Sequence, residues 1–459
     1  MEFENLKDEL LSAVDSSLKY ARTIDSDADF EVYVYYENRT QVSINQGVVD
    51  ASDVIVEGNA VRVEKQKSIS FASSSGISTD RIRRSINEAI ASLKTLSIKD
   101  ERFKGFCEPK PPGNEGTLAK EILSLDKEEL VNYASNMVKE GQKFYKRIHA
   151  VGSECGAEWG GFAVGNTLGV QQASRGVTNG FEVYCIAIDG EERRTSFEFD
   201  LDREKLIKPA GYGTKAAQKA VSLLGAKKLN KTGIFPTLWT PIPAAAFIYA
   251  SLAQSAMGNN VVEGRSPLSD KIGKNISSSK LTIIDDGQKP SGINTDAIDA
   301  EGYPQQKNTL LEQGRLEQFL FDTYYANIRN RESTGNSVRS GRTLPYEVSP
   351  NIRPKNLEVK PGNKNLDDLM NSVSDQAIMI VDMPIGILHS NVSTGEFSAV
   401  AQSAFLVENG KKSPIQPVSV SGNFYKGLKS LLNIGSDLEK TMFNVETPTL
   451  VFDGFSIVG

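Results

Sequence analysis

Residues 59–74 read NAVRVEKQKSISFASS. Val61, Val63, Ile69 and Phe71 fall on alternate positions, the period of a strand with one buried face. The spacing predicts one strand over this run. Upstream lie two more strand-like runs, FEVYVYY (30–36) and TQVSIN (40–45), rich in aromatic and β-branched residues. The second is bounded by Asn45-Gln46-Gly47, a turn signal. Before them, Phe3, Leu6, Leu10, Leu11, Val14, Leu18 and Ala21 recur near helical spacing and predict a helix over 2–22. After them, Ser78-Thr79-Asp80 is an N-cap signal for a helix through Leu96. Helix, antiparallel strands and helix make a compact α+β unit.

Residues 105–118, GFCEPKPPGNEGTL, are rich in Pro and Gly and read as a linker. Beyond it, 127–146 is helical in pattern, GNTLG (165–169) reads as a turn and FEVYCIAID (181–189) as a strand. A further helix rich in Ala and Lys covers 213–227. Asn230-Lys231-Thr232-Gly233 marks a second break, after which short strands and loops dominate. The expected class is α+β, with α+β units at 1–106 and 115–228 and a mostly-β domain at 232–459.

The chain has 459 residues, 39% hydrophobic and 24% charged, with a net charge of −6. That is ordinary globular composition. No basic stripe is present, so nucleic acid is not an expected ligand. Cys107, Cys155 and Cys185 are too few and too unevenly spaced for a disulfide framework, which fits a reducing compartment. The first residues, MEFENLKDELL, are acidic and amphipathic, unlike a secretory signal. No run approaches eighteen apolar residues, so no membrane partner is expected. Together these place the chain in the cytoplasm.

Chemistry-bearing motifs are sparse. His149 and His389 are the two histidines, and neither has a partner at helical ligand spacing. HExxH, GxSxG, GxGxxG and GxxxxGK[ST] are all absent. Ser333-Thr334-Gly335-Asn336 and Ser393-Thr394-Gly395-Glu396 set hydroxyls beside glycines, a composition that turns also favour. Asp285-Asp286 follows an apolar run, and Asp299 and Glu301 sit in TDAIDAEGYP. Paired carboxylates can do acid–base work or hold a cation, and adjacent aspartates after a strand also serve as loop caps.

A series of phrases in the C-terminal half resembles a known family. They are GRSPLSDKIGKNISSSKLTIIDDG (264–287), DAEGYPQQKNTLLEQGRLEQFLFDTYYA (299–326), STGNSVR (333–339), VSTGEFS (392–398), FLVENGKKSPIQPVSVSGN (405–423), GSDL (435–438) and PTLVFDGFSIVG (448–459). In this order and spacing they resemble the TldD/PmbA (TldD/TldE) peptidase family, once called modulator of DNA gyrase. The resemblance extends more weakly through GNTLGV (165–170) and NAVRVEKQKSISFASS. One kind of member carries HExxxH on a helix of the third domain and a later cysteine, which together hold zinc. The other kind, PmbA or TldE, is similar throughout but lacks those ligands.

The helix in question resembles residues 241–260 here, PIPAAAFIYASLAQSAMGNN. Anchored on Gly258 and Ser266, the HExxxH positions fall on Tyr249, Ala250 and Gln254, none of which supplies an imidazole or carboxylate. TMFNVETPTL (441–450) lacks the later cysteine. The resemblance is therefore to the PmbA/TldE kind, with no metal or cofactor in this chain and zinc in a partner subunit. Ala244, Ala245, Ala250 and Ala253 give the helix a narrow profile suited to close packing. The implied function is a metal-free subunit of a metallopeptidase that degrades or processes unfolded peptides, paired with a TldD-type zinc subunit. The alternatives are a self-standing peptidase with a divergent site, or a non-enzymatic peptide-binding homodimer. Loops that resemble the family's nominate Asp299, Glu301, Gly302, His389, Thr394, Gly395 and Glu396 as candidate peptide-site residues.

Overall fold

The computed structural model describes residues 1–95, 99–341, 343–373 and 376–459. Its N-terminal half is built on one six-stranded antiparallel sheet. The strands are β1 (Asp29–Asn45), β2 (Val48–Lys65), β3 (Ser68–Ser75), β4 (Ile148–Asn166), β5 (Gln171–Asp189) and β6 (Glu192–Asp202), in spatial order β3-β2-β1-β4-β5-β6. The segments 1–106 and 115–228 thus meet in a single sheet, through the pairing of β1 with β4. Four helices pack on one face of it: α1 (Leu6–Ile24), α2 (Thr79–Thr95), α3 (Lys127–Phe144) and α4 (Tyr212–Ser222). On α1, Leu6, Leu10, Val14, Ser17 and Ala21 are buried at three- and four-residue spacing, so one stripe faces the sheet. Phe30, Val32 and Val34 of β1 are fully buried beneath these helices. The intervening Glu31, Tyr33 and Tyr35 point to the opposite, helix-free face. The expected end of α2 at Leu96 lies outside the described residues.

Two expected strand boundaries are corrected. Residues 30–36 and 40–45 form one strand, because residues 37–39 stay paired with both β2 and β4, and the polar Glu37 and Arg39 pair with each other on the helix-free face. The run 59–74 is two strands joined by a tight turn at Gln66-Lys67, both with positive φ. Glu64 accepts the Lys67 backbone N–H at 2.7 Å and helps hold that turn. The hairpin pairs Arg62 with Phe71 and Val63 with Ser70, so Phe71 faces away from Val61 and Val63. The turn at Gln46-Gly47 joins β1 to β2 where the sequence places it, again with two positive φ values.

The segment 105–118 lies in the seam between the sheet and the C-terminal domain. Cys107 O accepts from Asn166 Nδ2, Gly113 N donates to Ala297 O, and Thr117 N donates to Pro290 O. It is a strap bonded on both sides.

The C-terminal domain is strand-rich, as expected. β7 (Gly233–Trp239) is followed by α5 (Pro241–Ile248), then β8 (Ile283–Asp286), β9 (Lys307–Glu312), β10 (Arg315–Leu316), β11 (Ser337–Val338), β12 (Asn351–Ile352), β13 (Leu357–Val359) and β14 (Gln376–Ile380). The remaining strands are β15 (Glu396–Ala401), β16 (Ala404–Glu408), β17 (Lys411–Ile415), β18 (Val418–Asn423), β19 (Leu431–Ile434), β20 (Val445–Glu446) and β21 (Leu450–Val458). One sheet runs β15-β18-β21-β7-β14-β16-β17 with β19 beside β21, and a second runs β10-β9-β8-β13-β20. One apolar core takes Trp239, Val420 and Phe452 from the first sheet, Ile283, Leu311 and Val359 from the second, and Phe247 from α5.

Candidate functional site

The stretch 241–260 is the apolar centre of the C-terminal domain. Pro241 and Pro243 open it, where their fixed φ suits the first turn and their missing N–H groups would have had no partner. Phe247 is fully buried, with ring centroids 5.3 Å from Trp239, 5.1 Å from Phe424 and 4.8 Å from Phe452. Ala244, Ala245, Ala250 and Ala253 are buried in the same core, so the narrow profile admits elements of this chain.

After Ile248 the helix changes character. Tyr249–Ala253 is a π turn, followed by α-helix at Gln254–Ala256 and a break at Met257. In a π turn the hydrogen bond runs from i to i+5, so residues five apart lie one turn apart. Tyr249 and Gln254 are such a pair, both half-buried, while Ala250 is buried. A regular α-helix would set them on different sides. Tyr249 Oη accepts from Arg353 Nη1 at 2.6 Å, and its ring lies 5.9 Å from that of Phe443. These three side chains line a pocket of about 470 Å3 that also reaches Asn444. Among the described residues, no group of three or more His, Cys, Asp or Glu side chains is placed to hold a metal ion.

The loop nominated at 394–396 adjoins the far end of this helix. Ser255 Oγ lies 2.6 Å from Tyr425 Oη, and Tyr425 donates to Val392 O at 2.7 Å. Ser393 Oγ donates to Arg265 O, and Asn423 Nδ2 donates to both Thr394 O and Glu396 Oε1. Gly395 has φ 77°, and a Cβ there would stand 2.4 Å from the Tyr425 ring, so the tight turn needs glycine. Thr394, Glu396 and His389 are exposed.

Asp299, Glu301 and Gly302 lie elsewhere, at the seam with the six-stranded sheet. Asp299 is fully buried and accepts from the backbone N–H groups of Glu301, Tyr303 and Ser337. Glu301 is 2% exposed; it accepts from Arg62 at 2.9 Å and from Thr323 N. Arg62 also grips Glu31, which in turn pairs with Arg339. A Cβ on Gly302 would meet Val170 at 2.5 Å. These carboxylates fasten loops and join domains; neither meets solvent. Asp285 does similar work, accepting from Lys355 N, Asn356 N and Asn336 Nδ2, and burial pushes its pKa up to about 6.

Sequence reading missed the space between the helix-free sheet face and the C-terminal domain. One cavity of about 500 Å3 is lined by Arg39, Glu154, Glu182 and Asn444. A neighbouring one of about 340 Å3 shares Glu158 and Thr178 with it. The larger cavity and the Tyr249 pocket share Asn444 in their walls, so the three adjoin in series as a segmented cleft. Glu154 and Glu182 oppose each other across β4 and β5, and burial, then the Glu154 charge, raises the pKa of Glu182. The available signal was glycine: Gly156, Gly160, Gly161, Gly176 and Gly180 interrupt β4 and β5, and a glycine inside a strand marks a close approach.

Comparison with known proteins covers nearly the whole chain. Residues 232–459 match the model of the PmbA/TldA metallopeptidase C-terminal domain, and residues 120–224 match that of the central domain. A metalloprotease TldD homolog of Buchnera aphidicola subsp. Acyrthosiphon pisum is 26% identical over 87% of this chain and 84% of its own. A metalloprotease PmbA homolog of the same organism is 24% identical over 100% of this chain and 99% of its own. The crystal structure of TldE from Thermococcus kodakarensis superposes with a TM-score of 0.89 at 23% identity, over 97% of this chain and 100% of that one. No described helix is long and apolar enough to cross a membrane. With both domain models and full-length relatives in agreement, the chain belongs to the PmbA/TldD family of metalloprotease-like proteins.

Proposed function

We propose that this chain is a metal-free subunit of a PmbA/TldD-type metallopeptidase acting on unfolded peptides, and that a zinc-bearing relative is its partner. One observation carries the reading. The π turn keeps the i, i+5 face that a HExxxH pair requires, yet the side chains on it do not fit zinc. Tyr249 is a phenol already bonded to the cationic Arg353, Ala250 is a buried methyl, and Gln254 is a neutral amide. Stable zinc sites use Cys, His, Asp or Glu, and water activation needs the metal. The residues at these positions therefore do not fit a zinc site in this chain.

The cleft supports the peptide half of the reading. It runs beside exposed sheet residues and ends at Tyr249 and Phe443, giving room for an extended segment with side chains on alternate sides. We place the protein in the cytosol, where its three buried cysteines stay reduced thiols.

The test is purification of the chain from its native host, with elemental analysis and a peptide-cleavage assay on the same sample. The expected result is recovery of an HExxxH-containing relative, about one zinc per pair, and cleavage by the pair but not by the lone chain. One tightly bound zinc per molecule of the isolated chain, or cleavage by it alone, overturns the reading.

A further inference from the structure

The 340 Å3 cavity lies between the helix-free face of the sheet and the segments 293–300 and 337–355. Its C-terminal-domain wall is unusual in its hydrogen bonding. Ser337 is fully buried, and its Oγ has no partner among the described residues. Arg339 is 6% exposed, and its Nε likewise has none. Asn294 Nδ2 is a third buried donor without a partner. Lys355, 5% exposed, spends one Nζ–H on Ser337 O at 2.9 Å. An ammonium has three donors, so two remain.

Each buried donor left unmet carries a desolvation cost with no bond to offset it, and native interiors rarely tolerate several together. Ser337 and Arg339 are two apart on extended chain, so their side chains share one face. The opposite wall is different. Glu37 and Glu158 stand there with Arg39 between them, and Gly160, Gly161 and Gly176 leave the sheet bare beside the stacked rings of Tyr33 and Phe162. One wall offers donors, and the other offers acceptors and aromatic surface. Asp296 also borders the cavity and is partly engaged by Ser174.

We propose that this cavity binds the C-terminal carboxylate of a peptide, with Ser337, Arg339, Asn294 and Lys355 as its donors. The assignment rests on the peptide-binding reading above and extends it to one end of the ligand. A planar monoanion with two oxygens matches donors from four side chains that line one cavity. The carboxylates of Glu37, Glu158 and Asp296 disfavour a doubly charged phosphate, whereas Glu37 and Glu158 suit the N–H groups of the residues preceding a peptide terminus. Burial holds the pKa of Lys355 below that of a free lysine, against the pull of Asp299, Asp296 and Asp285, and lowers that of Arg339 to about 10, against the pull of Glu31.

Fluorescence anisotropy with the full chain tests this, using N-terminally labelled, unstructured decapeptides with a free or an amidated C-terminus. The free acid is expected to bind about tenfold or more tightly, the scale of one or two charge-assisted hydrogen bonds. Ser337→Ala and Asn294→Ala should weaken the acid several-fold and leave the amide unchanged. Ser337→Ala should not lower the thermal midpoint, since its hydroxyl makes no bond in the free protein. Equal binding of acid and amide overturns the carboxylate site while leaving peptide binding intact. An amidated peptide with an internal Glu that binds as tightly as the acid overturns the terminal assignment. Binding of neither peptide overturns the peptide reading itself, and this inference with it.

Discussion

Tyr425 shows how a single hydroxyl links two parts of the site. It stands 2.6 Å from Ser255 on the central helix and donates to Val392 O in the loop that carries Thr394. Tyr425→Phe removes that bridge and keeps the ring that packs against Gly395. The expected cost is about 1 kcal/mol, seen as a small drop in thermal midpoint and faster amide exchange over 392–396. Unchanged exchange there would show that Ser393 and Asn423 hold the loop without Tyr425. The turn at Gly395 was legible in the sequence because a turn with positive φ advertises itself through glycine. Arg353 was not, since it reaches Tyr249 from 104 residues away and sits in no motif. Asp299 and Glu301 were singled out for their chemistry, but burial gives that chemistry to backbone N–H groups and to Arg62. One sequence cannot tell a carboxylate that works on a ligand from one that fastens a loop.

At the scale of elements, the helices were legible because each buries one stripe, and α1, α3 and α4 fall within a few residues of their expected spans. The hairpin of β2 and β3 was not. Its turn residues, Gln66 and Lys67, are neither Gly nor Asn, and the alternation of Val61, Val63, Ile69 and Phe71 passes through it. A reversal of two residues leaves that parity intact while swapping the faces. The π turn at Tyr249–Ala253 was equally hidden, because one residue's extra winding leaves no mark on composition. It makes a sharp prediction. With residues 249 and 254 on one face, the double variant Tyr249→His, Gln254→His gains a bidentate imidazole site for Zn2+ or Ni2+. Equilibrium dialysis should find about one bound ion per chain at micromolar free metal, and none held at this site in Tyr249→His alone. Equal binding by the single and double variants would place residues 249 and 254 on different faces.

Across the whole molecule, the sheet and the C-terminal domain meet through buried charge. Arg62, Glu31, Glu301 and Arg339 form one chain of ion pairs, with Asp299 and Asp322 close by. Breaking such pairs is costly because a charge is left without its partner, so the junction resists sliding. The acids outnumber what the cations can neutralise. Burial raises the pKa of Asp322, and repulsion from Glu301 and then Asp299 adds to it, against Arg62 and the Tyr325 N–H. Burial and then Glu301 raise that of Asp299 in the same direction. A carboxyl whose pKa is higher folded than unfolded binds its proton more tightly in the native state. Its contribution is complete below the unfolded value near 3.8 and is lost as pH rises through the folded value. The thermal midpoint should therefore fall between pH 6 and pH 8.5. Asp322→Asn tests the source, because asparagine keeps the helix cap that Asp322 gives to Tyr325 N while removing the titration. The variant should show a shallower decline with pH and match or exceed the parent at pH 8.5. Parallel pH profiles for the two proteins would assign the decline to groups away from this seam.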